Sequence, residues 1–100
     1  MSFEAHVRAA LDELPPEIAA KLVIVAVVVE EENPDEPDLY GLFHEDPYMP
    51  ARISIYRRPL VEDFGDDPDE LRHEIRVTVL HELAHYFGID EDRLDELGYA

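Results

Sequence analysis

The sequence predicts an α+β domain in which a small mixed sheet of three or four strands packs on an N-terminal helix and a long helix near the C-terminus. Two observations carry this prediction. Residues 68–87 have helix signals at both ends, and three shorter segments are rich in the β-branched and aromatic residues typical of strands. A chain of 100 residues with no break in composition predicts one domain over 1–100.

An amphipathic helix over 3–13 is the first predicted element. Its apolar residues, such as Val7, recur at helical spacing and form one stripe. Ser2 is a suitable N-cap because its hydroxyl can accept a backbone N–H from the first turn. The pair Pro15-Pro16 ends the helix.

Three segments predict the strands of the sheet. KLVIVAVVV (21–29) is dense in β-branched residues and has no polar alternation, which is typical of a strand covered on both faces. LYGLF (39–43) predicts a short strand. ARISIYRR (51–58) predicts a longer one, with Ile53 and Ile55 facing the same way. The acidic segment EEENPDEPD between the first two predicts a solvated loop.

A long helix over 68–87 is the clearest prediction. Asp67 can cap its N-terminus, and Gly88 is the residue type that best adopts the left-handed conformation after a helix. Asp90 can then cap a last short helix over 91–97.

Net charge is the most unusual property of the composition. Asp and Glu number 25 against 8 Lys and Arg, which gives a formal net charge of -17. Such a field repels phosphate backbones and anionic lipid surfaces, so we expect no nucleic-acid partner and no membrane partner. It favours cationic substrates or partners.

Cysteine usage and apolar runs bear on the compartment. The chain has no cysteine, which excludes disulfides and thiolate metal sites. The N-terminal residues lack the pattern of a secretory signal, and the longest apolar run, LVIVAVVV, is too short to span a bilayer as a helix. These observations predict a cytoplasmic protein.

The segment HELAHYFGIDED (81–92) carries the strongest indication of chemistry. Four residues along a helix advance about 6 Å and about 40° around the axis, so His81 and His85 project side by side. Two imidazoles in this arrangement can bind one Zn²⁺ ion. Glu82 flanks them, where it can hold a zinc-activated water and take its proton as general base.

The third zinc ligand is expected after Gly88, where a left-handed turn lets the chain double back. The candidates are the acids that follow: Asp90, Glu91, Asp92 and Asp95. Since Asp90 has a capping role, we favour Glu91, six residues after His85, with Asp92 and Asp90 as the alternatives.

The segments HELAHYFGIDEDRLDELGY, LYGLF and PARISIYRRPL resemble the zincin metallopeptidases. More narrowly, they are similar to a small bacterial zincin-like family with the pattern His-Glu-x-x-His-x-x-Gly-x-x-Asp. This resemblance implies a minimal zincin-like domain in which His81 and His85 bind zinc and Glu82 is the general base. The aspartate of the family pattern falls on Glu91, a departure by one methylene group.

The resemblance also implies a function. A zinc-dependent metallopeptidase would hydrolyse peptide bonds in a peptide or an unfolded protein, with the substrate aligned along an edge strand at Tyr40, Gly41 and Leu42. One alternative is a zinc-binding domain with weak or no catalysis that binds a peptide or protein partner along this strand. Another is a domain that binds no metal, with His81 and His85 as surface residues.

Further side chains are candidates for supporting roles. Tyr40, His44 and Tyr48 lie near the predicted edge strand and are candidates to stabilise an oxyanion, with ordinary packing as the alternative. Thr78 and Glu74 lie on the helix face of the two histidines, one and two turns earlier, respectively. They are candidates to orient a zinc ligand, with solvation or core packing as the alternative.

Overall fold

The computed structural model describes residues 2–96, apart from the side chain of Glu91. In chain order the elements are α1 (Phe3–Asp12), α2 (Pro16–Lys21), a 3-10 turn (Leu22–Ile24), β1 (Ala26–Glu30), β2 (Gly41–Asp46), β3 (Met49–Tyr56), α3 (Arg57–Phe64), α4 (Pro68–Phe87) and α5 (Glu91–Glu96). The strands form one mixed sheet in the order β1-β3-β2, with β1 parallel and β2 antiparallel to β3. The predicted α+β class with a small mixed sheet is confirmed.

The first helix follows its sequence signals. The Ser2 hydroxyl accepts the backbone N–H of Ala5 at 3.1 Å, and the helix ends at Asp12. Its apolar stripe, which includes Phe3 and Val7, is buried, and α1 packs against α4.

The prediction of one doubly covered strand over 21–29 was wrong. Residues 16–21 form α2 and residues 22–24 form a 3-10 turn, so the strand begins only at Ala26. Pro16 stands at the first position of α2, where its missing N–H costs no hydrogen bond. Val23 and Ile24 are 84% and 64% exposed, and β1 itself is only half-buried because it is an outer strand.

The strand predicted over 51–58 starts two residues earlier and ends two residues earlier in the structure. β3 begins at Met49, and the chain turns into the helix α3 at Arg57. This helix, with the sequence RRPLVEDF, was not predicted. Pro59 lies in the first turn of α3, where backbone N–H groups have no helical acceptor, so the residue is tolerated.

Both faces of β3 are covered near its C-terminal end. Ile53 and Ile55 are fully buried in the core. On the opposite face Ser54 and Tyr56 are buried too. Here Asn33, from the acidic loop, donates a hydrogen bond to the Tyr56 hydroxyl at 3.0 Å.

The long helix and its caps agree with the prediction. The carboxylate of Asp67 accepts the backbone N–H groups of Asp69 at 2.9 Å and Glu70 at 3.4 Å. Gly88 ends α4 in the left-handed conformation, with φ 69°. The core face of α4 is fully buried at Ile75, Val79, Leu80 and Leu83.

The last helix, α5, starts at Glu91 as predicted, and Asp90 caps it by accepting the backbone N–H of Arg93 at 2.9 Å. Its predicted final residue, 97, lies outside the described residues. Among the helices that the structure describes, none has the length and apolar character needed to cross a membrane.

Candidate active site

His81 and His85 lie in the last two turns of α4, and both side chains are exposed. The helix presents them to solvent because its buried face uses their neighbours Leu80, Leu83 and Ala84. Two imidazoles one turn apart on an exposed helix face can reach one metal ion.

No third ligand joins the two histidines among the side chains that the structure describes. The carboxylate of Asp90 is engaged at the start of α5, where it accepts the N–H of Arg93. Asp92 is exposed on the first turn of this helix. Glu91 is the first residue of α5, and its side chain lies outside the described residues. The third ligand therefore stays a prediction.

Glu82 is half-buried between α4 and the strand β2. Its Oε2 atom accepts the backbone N–H of Phe43 at 3.2 Å, a contact between residues 39 positions apart in the chain. This hydrogen bond places the carboxylate at the border between the histidine-bearing helix and an outer strand of the sheet.

The pairing of β2 with β3 determines which backbone groups of β2 face away from the sheet. The backbone N–H of Tyr56 donates to the carbonyl of Tyr40 at 2.9 Å, so this pair is hydrogen-bonded. In an antiparallel ladder the hydrogen-bonded positions alternate. Leu42 therefore bonds to β3, whereas the backbone groups of Gly41 and Phe43 point to the free edge of β2.

Gly41 brings β2 close to α4. A Cβ atom at this position would lie 2.5 Å from the Cγ2 atom of Thr78 and 3.1 Å from the carbonyl oxygen of Ser54. Any side chain here would push the strand away from the helix that carries the histidines. The prediction that Gly41 contacts substrate did not anticipate this packing role.

Thr78 and Glu74 can be placed from their contacts. The Thr78 hydroxyl donates to the backbone carbonyl of Glu74 at 2.8 Å, within α4. The Thr78 methyl group packs beneath Gly41. From the sequence, Thr78 was a candidate to orient a zinc ligand, with solvation or core packing as the alternative. Its contacts support core packing. Glu74 is half-buried, and its side chain lines a cleft with His81.

Two clefts open between β2 and α4, and both are lined by Glu82. The first, which we call the His81 cleft, has a volume of about 350 Å³, and its lining includes Leu39, Tyr40, Gly41, Glu74, His81 and Glu82. The second, the His85 cleft, has a volume of about 330 Å³ and is lined by Leu42, Phe43, Glu45, Glu82, His85 and Tyr86. The two clefts follow the free edge of β2 on either side of Glu82.

The three residues predicted as candidates to stabilise an oxyanion differ in their contacts and exposure. The Tyr40 hydroxyl donates to Asp63 of α3, and this bond, followed by burial, raises the pKa of Tyr40 to about 12. The Nε2 atom of His44 lies 2.9 Å from the Ser54 hydroxyl. Tyr48 is 93% exposed in the turn after β2. Only Tyr40 lines one of the two clefts.

Five residues that line the clefts were given no individual role from the sequence: Leu39, Phe43, Glu45, Val77 and Tyr86. The rings of Phe43 and Tyr86 stack with centroids 4.4 Å apart and an interplanar angle of 18°. Phe43 lies two positions after Gly41 and therefore on the same face of the strand. The alternation of side chains along the strand, counted from Gly41, could have indicated Phe43. No local pattern in the sequence indicated that its ring would stack on that of Tyr86.

Comparison with known protein families identifies the chain. The profile of the zincin-like metallopeptidase family matches residues 22–99. The chain belongs to this family. The matched range contains the whole sheet, α4 and α5. A search among curated proteins found no match.

Membership of the zincin-like metallopeptidase family confirms the resemblance seen in the sequence. It implies, in general terms, zinc binding and the chemistry of a hydrolase. The family match begins at residue 22, so α1 lies outside it, although α1 packs against α4.

Proposed function

We propose that the protein is a zinc-dependent metallopeptidase that hydrolyses peptide bonds, with Glu82 as general base. The observation that supports this most strongly is the position of Glu82. Its carboxylate lies beside two exposed imidazoles on the same helix and touches the free edge of β2 through Phe43. The proposed base, the two proposed zinc ligands and the proposed peptide-binding edge therefore lie close together.

The donor atoms present suit zinc. His81 and His85 supply two imidazole nitrogens from one exposed helix face, and the chain has no cysteine that would compete. We propose Glu91 as the third ligand, with Asp92 and Asp90 as alternatives, since a carboxylate completes many catalytic zinc sites. When bound, Zn²⁺ supplies Lewis acidity, which polarises a carbonyl oxygen and makes water acidic near neutral pH.

The chain's own groups perform the remaining steps. Glu82 accepts the proton of the attacking water and returns it to the leaving amine. In the free protein the N–H of Phe43 holds the carboxylate beside the strand. The backbone groups of Gly41 and Phe43 can pair with an extended substrate, as in other cases of strand addition, once the N–H of Phe43 exchanges Glu82 for a substrate carbonyl. This mode requires an extended backbone, so the proposed substrate is a peptide or an unfolded protein.

One observation favours a second candidate function. The Glu82 carboxylate already ties β2 to α4 in the structure, which is also what a purely structural glutamate would do. In this alternative the domain binds zinc and a peptide partner without hydrolysing it. A substitution that keeps the hydrogen bond at position 82 but removes the negative charge of Glu82 distinguishes the two functions.

Glu82→Gln makes this distinction, because the amide oxygen of glutamine can still accept the N–H of Phe43 but is not a base. We expect zinc-loaded protein to cleave an unfolded protein or a peptide library, and Glu82→Gln to lower the rate about a hundredfold or more. Mass spectrometry of the products measures both rates. Equal rates in the two proteins, or no cleavage by either, would contradict the proposed peptidase activity.

A further inference from the structure

Each of the two clefts beside Glu82 contains one carboxylate that lies outside the His-Glu-x-x-His motif. Glu74 lines the His81 cleft, and Glu45 lines the His85 cleft. Among the described residues, neither lining includes a lysine or an arginine. Each of the two surfaces that would flank a scissile bond therefore carries a carboxylate that no lysine or arginine in its lining neutralises.

Within residues 2–96, five of the eight Lys and Arg side chains form ion pairs with acids outside the two clefts. Arg57 and Arg58 pair with Glu31 and Glu32 in the loop after β1. The arginines of the two C-terminal helices pair with acids outside the clefts: Arg72 with Asp69 and Glu13, Arg76 with Glu13, and Arg93 with Glu17 and Glu96. As far as the structure describes the chain, Glu45 and Glu74 take part in no ion pair. Their charges are available to a ligand.

The His85 cleft combines this charge with an aromatic wall. The rings of Phe43 and Tyr86 stack on each other, and Tyr86 is 40% exposed. Glu45, on the same strand as Phe43, is exposed and lines the same cleft. An arginine or lysine side chain has the complementary structure, because its aliphatic stem packs on rings while its charged end reaches a carboxylate.

The His81 cleft has a less exposed charge. Glu74 is half-buried there, and the apolar residues Leu39 and Val77 line the same cleft. The negative charge of Glu74 also contributes to the raised pKa of Tyr40, after the hydrogen bond to Asp63, burial and the charge of Asp63. The field of Glu74 thus extends across the cleft to Tyr40.

We infer that the substrates are cationic polypeptides, in which an arginine or lysine next to the scissile bond occupies the His85 cleft between Tyr86 and Glu45. This inference rests on the proposed function, because the cleavage site is the point between the two clefts. Glu74 favours a second basic residue on the other side of the bond. The net charge of -17 adds a long-range attraction for the same substrates.

Binding to the zinc-loaded Glu82→Gln protein tests the inference without turnover. The probes are fluorescent peptides in which one arginine is moved along a neutral host sequence, with glutamine or glutamate at the same position for comparison. At one position we expect arginine to bind about five- to tenfold tighter than glutamine. Glu45→Gln in the same background should reduce this preference to about twofold or less.

Glu30→Gln is the matched control. It removes the same charge, but Glu30 is exposed on β1, across the sheet from β2. We expect it to leave the arginine preference unchanged. If Glu30→Gln and Glu45→Gln reduce the preference equally, net charge rather than the cleft selects the peptide, and the inference is overturned.

Cleavage by the wild-type protein separates this inference from the proposed function. Cleavage sites without a basic residue beside the bond, in a protein that is active on unfolded substrates, overturn the inference and leave the peptidase standing. If no substrate is cleaved, the peptidase proposal fails. The binding preference then still decides whether the His85 cleft takes a cationic side chain.

Discussion

β1 and β2 are the two outer strands of the same sheet, and within the described residues both pair with β3 alone. β1, with the sequence AVVVE, is rich in β-branched residues and runs parallel to β3. β2, with the sequence GLFHED, has a glycine at its start, polar residues at its end and an irregular register between His44 and Asp46. By residue propensity β1 is the better strand.

The surroundings of the two strands are different. Glu82 of α4 accepts a hydrogen bond from β2, and both clefts lie between β2 and α4. β1 lies on the far side of β3. The helix beside an outer strand, more than the strand's own propensity, therefore makes its free edge a candidate binding surface. Substitutions in the two strands and in their contacts test this difference.

Adding a small apolar group to each outer strand should have very different effects. Gly41→Ala places a Cβ atom 2.5 Å from Thr78 Cγ2, and the β-branched threonine has little room to rotate. We expect the free energy of unfolding to fall by about 1–3 kcal/mol. Ala26→Val, at an exposed position of β1, should change it by less than about 0.5 kcal/mol. Chemical denaturation measures both values.

Thr78→Ser provides the matching rescue. Serine keeps the hydroxyl that donates to Glu74 but lacks the methyl group that would clash with alanine at position 41. We therefore expect Gly41→Ala to be less destabilising in the Thr78→Ser background. Equal losses at Gly41 and Ala26 would show that β2 is no more tightly held than β1.

Proline substitutions test which backbone groups of β2 face the free edge. Leu42→Pro removes an N–H that bonds to β3, so it should destabilise the sheet. Besides the ring, Phe43→Pro removes an N–H that bonds to Glu82 and not to β3, and proline is tolerated at such edge positions. We expect Phe43→Pro to be more stable than Leu42→Pro but to bind an extended peptide about three- to tenfold more weakly than Phe43→Ala.

Phe43→Ala is the control for the lost ring, because alanine keeps the N–H. Peptide titration of the two position-43 variants gives the effect of the N–H alone. If Phe43→Pro binds peptide as well as Phe43→Ala does, the edge of β2 is not the peptide-binding surface. If Phe43→Pro and Leu42→Pro are equally unstable, the alternation of hydrogen bonds assigned to β2 is wrong.

The smallest effect is expected at the start of β2, where Tyr40 is tied to Asp63 of α3. The hydrogen bond to Asp63, then burial, raises the pKa of Tyr40 to about 12 from an ordinary value near 10. The protonated phenol donates the hydrogen bond to Asp63. The stability that this bond contributes is therefore complete below about pH 10, and it is lost as the pH rises towards 12 because the phenol ionises. Tyr40→Phe should lower stability at pH 8 by about 1 kcal/mol and weaken its decline between pH 10 and 12.

Denaturation at a series of pH values measures this effect. Tyr48→Phe, at a 93% exposed position, is the control and should leave the pH profile unchanged. The same profile for Tyr40→Phe and wild type would show that the Asp63 contact does not anchor β2.

The local signals in the sequence predicted the parts of the molecule that depend on neighbouring residues. The caps at Asp67 and Gly88 fix both ends of α4, and the four-residue spacing of His81 and His85 places them on one face of it. Such features depend on a few consecutive residues. The prediction of the sheet failed where propensity alone was used, as for Val23 and Ile24, which lie in a 3-10 turn.

The contacts that complete the candidate site could not be predicted in this way. Glu82 and Phe43 are 39 positions apart, and their hydrogen bond depends on the order of the strands and the close approach at Gly41. The stack of Phe43 on Tyr86 has the same origin. These are consequences of tertiary packing, which no period or motif in a single segment contains.

Zinc titration tests whether His81 and His85 bind a metal ion. Protein purified without a histidine tag should bind one Zn²⁺ per chain by calorimetry, and the His81→Ala/His85→Ala variant should bind none at the same site. His73→Ala, which removes another exposed histidine of α4, should bind zinc like the wild type. Absence of stoichiometric uptake, or uptake that survives the double substitution, would contradict a zinc site on α4 and with it the proposed peptidase.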